Sequence, residues 1–122
     1  LTMLEMARRD IMPAVSSYLR ELSETAAAIH PASVTADCSY EESIIPEMSA
    51  LLGDAYRKVR SLDEALMGAK TVEGSQALAN YYRDKVFSAM AELRITIDQL
   101  ETMTPSDKWP VPSYGDLLFS VR

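Results

Sequence analysis

The sequence predicts an all-α protein: an up-down-up antiparallel three-helix bundle of long helices, followed by an extended, docking C-terminal tail. Three observations carry that expectation. Apolar residues recur with helical spacing along most of the chain, in strictly alternating steps of three and four in the middle segment. Glycine is scarce, with four residues in 122, while Ala, Leu, Glu, Met and Ser are plentiful, a balance that favours helix over sheet. Turn chemistry gathers in two short stretches, His30 to Cys38 and Gly68 to Gly74, which divide the periodic part into three segments of similar length.

The first segment, about residues 1–30, carries its seam at Leu4, Ile11, Val15, Tyr18, Leu22 and Ile29, interrupted by Arg8. Pro13 falls inside it, where a helix-interior proline costs about 3 kcal/mol. Apolar spacing continues on both sides, so a kink is expected rather than a break. No capping residue is read before the first periodic positions, and the chain opens without an initiator Met, so it reads as cut from something longer.

The second segment, about residues 40–70, holds the most regular seam: Ile45, Met48, Leu52, Ala55, Val59, Leu62, Leu66 and Ala69. Ser39 followed by Glu42 has the spacing of a capping box and places the helix start there. Pro46 leaves two possibilities, a kink within the early turns or a start near Ser43. The third segment, about residues 75–103, runs through Leu78, Tyr82, Val86, Ala89, Leu93, Ile97 and Leu100. Ser75 is its expected N-cap, and Thr104-Pro105 closes it. Each helix would be about 40–45 Å long at ~1.5 Å per residue, and short connections make neighbours antiparallel. The bundle therefore occupies residues 1–104 and the tail 105–122.

The tail is unlike a polar, fraying terminus. Lys108 to Arg122 reads KWPVPSYGDLLFSVR, with large apolar side chains and two stiffening prolines. Ordering it costs roughly 1–2 kcal/mol per residue of backbone entropy, which only burial of those side chains can offset. Trp109, Tyr114, Leu117, Leu118 and Phe119 are accordingly the candidate interaction residues, docking on the chain's own helices or on a surface outside it.

Composition narrows the function. A net charge of −6 argues against a nucleic-acid partner. No apolar run approaches the ~20 residues of a membrane span and no signal peptide shape is present, so neither a membrane partner nor export is expected. The single cysteine, Cys38, agrees with a reducing, cytoplasmic compartment. His30, the one histidine, excludes a multi-histidine zinc site and is poorly placed to activate Cys38. Gly53, Gly68, Gly74 and Gly115 are too scattered for a phosphate loop. The acidic pairs Glu41-Glu42 and Asp63-Glu64, and the basic cluster Arg57, Lys58, Arg60, read as solvated helix faces. Arg94 and Asp98 stand at pairing distance along a helix, and Arg83 adjoins Asp84. Tyr82 and the methionines Met48 and Met90 read as core, whereas Tyr81 would face solvent or a partner. No catalytic, cofactor-binding or metal residue emerges.

Four stretches go further: EMARRDIMPAVSSYLREL at Glu5 to Leu22, SALLGDAYRKVRSLDEAL at Ser49 to Leu66, ANYYRDKVFSAMAELRITIDQLE at Ala79 to Glu101, and WPVPSYGDLLF at Trp109 to Phe119. In that order they resemble the helical C-terminal region of type III glutamine synthetases, the large bacterial form. The most specific parts are YYRD followed by MAELR, and the tail; Pro46 departs from the family pattern. The resemblance implies a full-length cytoplasmic ligase, several times longer, that forms glutamine from glutamate and ammonia with ATP and a divalent metal (magnesium). It further implies a homo-oligomeric ring. No family catalytic motif falls within this chain, so the segment would be a non-catalytic appendage whose partners are the remainder of the same enzyme and further copies. The alternatives are a stand-alone helical-bundle adaptor that uses the second seam for association, and a small-ligand bundle.

Overall fold

A computed structural model describes residues 2–111. The described residues form three helices and no strand: α1 (residues 3–32), α2 (Ser39–Ala69) and α3 (residues 75–103). The outer two each contain one π-helical turn, at Ala7–Ile11 in α1 and Tyr82–Val86 in α3.

Local chemistry accounts for the boundaries, though not always the chemistry expected. Thr2 caps α1: its hydroxyl oxygen accepts from the Glu5 N–H at 3.2 Å. The uncapped start is thereby corrected, because Thr2 sits directly before the first periodic residues. The kink expected at Pro13 takes the form of the wide turn just upstream. A proline ring crowds the carbonyl four residues back, here Arg9, and Arg9 lies within the π-helical turn, where Met12 N–H bonds the Ala7 carbonyl instead. α1 then continues through Pro31 to Ala32, so His30 is helical rather than in the connection.

The Ser39–Glu42 capping box does not form. Ser39 is the first helical residue, and the carboxylate of Asp37 accepts from both its N–H, at 3.0 Å, and its hydroxyl. Those bonds favour the charged form and hold the Asp37 carboxyl below its usual range. α2 runs unbroken through Pro46, a position early enough to spare most of the ladder. Gly74, not Ser75, is the N-cap of α3: its φ of +93° is a conformation that L side chains resist, and its carbonyl accepts from Leu78 N–H at 2.9 Å. At the far end Thr104 turns extended ahead of Pro105, and its buried hydroxyl donates to the Leu100 carbonyl at 2.8 Å.

The core has two parts. Ile11, Val15 and Leu22 of α1 meet Met48 and Ala55 of α2 and Leu100 of α3 in the first; Ala7, Val59, Leu62, Val86 and Leu93 form the second. Ile97 packs against both. Full burial of such side chains is worth about 1.5–3 kcal/mol each, more than the propensity differences among the non-proline residues of the helices. The α2 seam lies as read, with Met48, Ala55, Val59, Leu62 and Ala69 buried. In α1 the gap at Arg8 is filled by its neighbour Ala7, 1% exposed. In α3 Thr96 is fully buried along with the seam residues Leu93 and Leu100, while the seam residue Ile97 is only partly buried.

Polar contacts join the helices in a regular order. Arg8 pairs with Asp63 at 2.8 Å and His30 with Glu42 at 3.2 Å, linking α1 to α2. Thr96 bonds Asp54 at 3.1 Å, and Tyr81 bonds the Ala65 carbonyl at 2.7 Å, linking α2 to α3. No helix among the described residues is long and apolar enough to cross a membrane.

Candidate functional site

The residues after α3 define the first part of the site. Lys108 and Trp109 N–H groups turn back onto the Pro105 carbonyl at 2.9 and 3.1 Å, a compact turn set by Pro105. It delivers Trp109 and Val111 onto the first core cluster, where both are half-buried. Lys108 Nζ pairs with Glu21 of α1 at 3.3 Å. Nearby, burial and a hydrogen bond with Tyr40 push the Tyr18 hydroxyl above its ordinary pKa, with Glu21 and Asp107 adding to the effect. Residues 105–111 thus lie on this chain's own helices. The other candidates, Tyr114, Leu117, Leu118 and Phe119, lie outside the described residues.

A second feature joins α2 and α3 through polar groups that the periodicity did not single out. Lys58 Nζ donates to Thr96 Oγ1 at 2.7 Å, and Thr96 Oγ1 donates to Asp54 Oδ2 at 3.1 Å. Lys58 also lies 3.1 Å from Asp54 and 3.7 Å from Glu92. The Lys58 bond holds the Asp54 carboxyl below the usual carboxylate range, against the opposing effect of burial. Lys58 is therefore no solvated-face residue: its side chain is only 24% exposed. Its signal was the offset of four from Asp54, which puts the two on one side of the helix. Asp63, with its side chain 42% exposed, pairs with Arg8 across the helix interface, and Glu42, exposed as expected, pairs with His30.

Tyr81 is also corrected. It packs in the second core cluster with its hydroxyl bonded to Ala65, while Tyr82 packs beside it and makes an edge contact with Phe87 at 6.2 Å. Arg94 and Asp98 come within 3.9 Å, and Arg83 pairs with its neighbour Asp84 at 3.1 Å. Cys38 is buried, and burial together with Glu41, Glu42 and Asp37 pushes its thiol up, which keeps it protonated.

Between α1 and α2 lies an open groove. One end, about 500 Å³, is bordered by Met12, Pro13, Leu52, Gly53 and Tyr56; it continues past Val59 into a cleft of about 460 Å³ edged by Arg60, Asp63 and Glu64. The Arg60 guanidinium stacks 6.0 Å from the Tyr56 ring centre. Among the described residues no three His, Cys, Asp or Glu side chains converge as a metal site would require.

Fold and contacts together describe an all-α unit whose helices meet through two apolar clusters and a few cross-helix polar contacts. Comparison with known proteins gives it a context. The chain is similar to a glutamine synthetase of Butyrivibrio fibrisolvens, 27% identical over 122 residues, which is all of this chain and 17% of that protein. It is similar also to a type-3 glutamine synthetase of Dictyostelium discoideum, 26% identical over 117 residues, 89% of this chain and 15% of that protein. The resemblance to type III glutamine synthetase read from the four stretches is thus met by curated relatives, and the chain spans about one sixth of their length. No family model matches, and no solved structure matches.

Proposed function

We propose that this chain is the non-catalytic C-terminal helical segment of a glutamine synthetase-like enzyme, with a role in packing or oligomer assembly. The observation that carries the reading is a similarity running along the whole of this chain yet only about one sixth of each relative. The full-length protein would be a cytoplasmic, homo-oligomeric ligase forming glutamine from glutamate and ammonia with ATP. The partners of this segment would be the rest of the same chain and neighbouring subunits.

On this reading the metal and nucleotide are held by the remainder of the enzyme. Asp54 is bound to Lys58 and Thr96, and Asp63 to Arg8, so these carboxylates are already neutralised by fixed cations. The bundle is read as up-down-up and antiparallel, in one unit over residues 1–104. In support, position 8 meets 63 and 30 meets 42, while 54 meets 96 and 65 meets 81, so partner numbers fall on one helix as they rise on the next.

The test is the reading frame upstream of Leu1 and the protein it encodes. A glutamine synthetase catalytic region there, with ATP-dependent glutamine formation by the full product and none by residues 1–122 alone, is the expected result. Absence of that region sinks the proposal. Deleting residues 1–122 from the full enzyme should lower its oligomeric mass in sedimentation; an unchanged mass and activity would rule out the assembly role.

A further inference from the structure

The two π-helical turns, Ala7–Ile11 in α1 and Tyr82–Val86 in α3, both border the second core cluster, through Ala7 and Val86. Only the first has a cause in its own sequence. Pro13 accounts for the turn in α1, whereas α3 contains no proline. What the turn in α3 does is bring side chains five apart, rather than four, over one another. Tyr81 stands over buried Val86, its hydroxyl on the Ala65 carbonyl at 2.7 Å, beside Gly68, whose missing Cβ leaves the room. Tyr82 stands over Phe87, ring edge to ring at 6.2 Å. The Phe87 N–H accordingly reaches back five residues, to the Tyr82 carbonyl.

The chain offers the same side chain one residue on. In an uninterrupted helix Tyr82 would stand four before Val86, in the place that Tyr81 now holds. Phe87 N–H would bond the Arg83 carbonyl instead, so no backbone hydrogen bond is lost. The conversion turns residues 75–81 about their axis by about 100° and moves them along it by about 1.5 Å. Little opposes that movement. None of residues 75–81 is buried, and they join α2 through the short turn 70–74, which ends on Gly74 at φ +93°. We propose that α3 has two registers: the π-turned one, with Tyr81 against Gly68 and Ala65, and a straight one, with Tyr82 in that place and Tyr81 turned outward. The π-turned register is the major one. It keeps Leu78 half-buried where the straight register would put Ala79, and it keeps the Tyr82–Phe87 ring contact. A shift by one whole residue has no stable midpoint, so two discrete states exchange, the minor one populated at about 0.1–10%. The device selects which face of residues 75–81 is presented to solvent. This inference stands apart from the enzyme assignment and is tested on the 122-residue chain alone.

The experiment is chemical-exchange NMR of the backbone amides in the wild-type chain and in Tyr81→Phe and Tyr82→Phe. Tyr81→Phe removes the hydroxyl bond from the major register only. The minor population at residues 75–86 should then rise about 2- to 13-fold, the worth of one such bond. Tyr82→Phe removes the bond from the minor register only and should lower that population by a similar factor. Deleting Asp84 takes out the residue that the π-helical turn accommodates; a straight helix then puts Tyr81 itself on Gly68, and the exchange should vanish. Absence of a minor state at residues 75–86 in Tyr81→Phe overturns the proposal. So does a change of the same sign in both tyrosine variants, or exchange that survives the deletion. Exchange spread evenly along α3 would also overturn it, since fraying rather than a change of register gives that pattern.

Discussion

Two glycines of α2 make a controlled comparison, because replacing either with alanine brings the same gain in helix propensity, about 0.5–1 kcal/mol. At Gly53 a Cβ would meet only the tip of Arg57 at 3.6 Å, an ordinary contact, so Gly53→Ala should stabilise by about that amount. At Gly68 the same methyl would collide with the Tyr81 hydroxyl and lie 3.3 Å from its Cζ. Tyr81 must then move. It gives up its 2.7 Å bond to the Ala65 carbonyl, about 0.5–1.5 kcal/mol, and leaves its rotamer well at a similar cost. The balance is a destabilisation of about 1 kcal/mol for Gly68→Ala, roughly 2 kcal/mol from the Gly53 result. Tyr81→Phe removes the colliding oxygen, so adding Gly68→Ala to it should be neutral or stabilising, and the pair should show a coupling of about 1–2 kcal/mol. Urea unfolding followed by circular dichroism at 222 nm measures all four variants. If Gly68→Ala stabilises as much as Gly53→Ala, or costs the same with and without the tyrosine hydroxyl, the packing of Tyr81 on Gly68 is refuted.

Other expectations follow from the same contacts. Leu93→Ala empties a fully buried position of the second cluster and should cost about 2–5 kcal/mol in urea unfolding, whereas Arg8→Ala, at a half-exposed pair, should cost about 0.2–1 kcal/mol and less in high salt. Asp54 titrates below its unfolded value, so its contribution is complete above about pH 4 and is lost as the pH falls further, when the unfolded chain takes up the proton first. Lys58→Met should reduce that acid loss, seen as a smaller drop in the urea midpoint between pH 5 and pH 3. Cys38, buried with a raised thiol pKa, should react slowly with a thiol reagent at pH 7.5 in the native protein and fast in urea; fast native reaction would contradict its burial.

Much of the architecture was legible because it rests on local repetition. Met48, Ala55, Val59, Leu62 and Ala69 recur with the helical period, and any chain with that pattern must bury one stripe. The turn at residues 70–74 and the stop at Thr104-Pro105 are equally local, since Gly74 admits a positive φ and Pro105 fixes its own. Details of caps were less legible: Asp37 rather than Ser39, and Gly74 rather than Ser75, because several neighbouring side chains could have served and only backbone geometry chose among them.

What the sequence by itself determined is therefore the number of helices, their stripes and the resemblance that names their relatives. Tertiary structure alone decided which polar residues work between helices. Lys58, Thr96, Asp63 and Tyr81 look like surface or seam positions until a partner arrives from another helix, remote in sequence, to take up their charge or hydrogen bond. The same holds for Ala7 in place of Arg8, since only the packing of α1 on α2 shows which neighbour turns inward. Periodicity records what one helix must hide; it carries no record of what the facing helix offers in return.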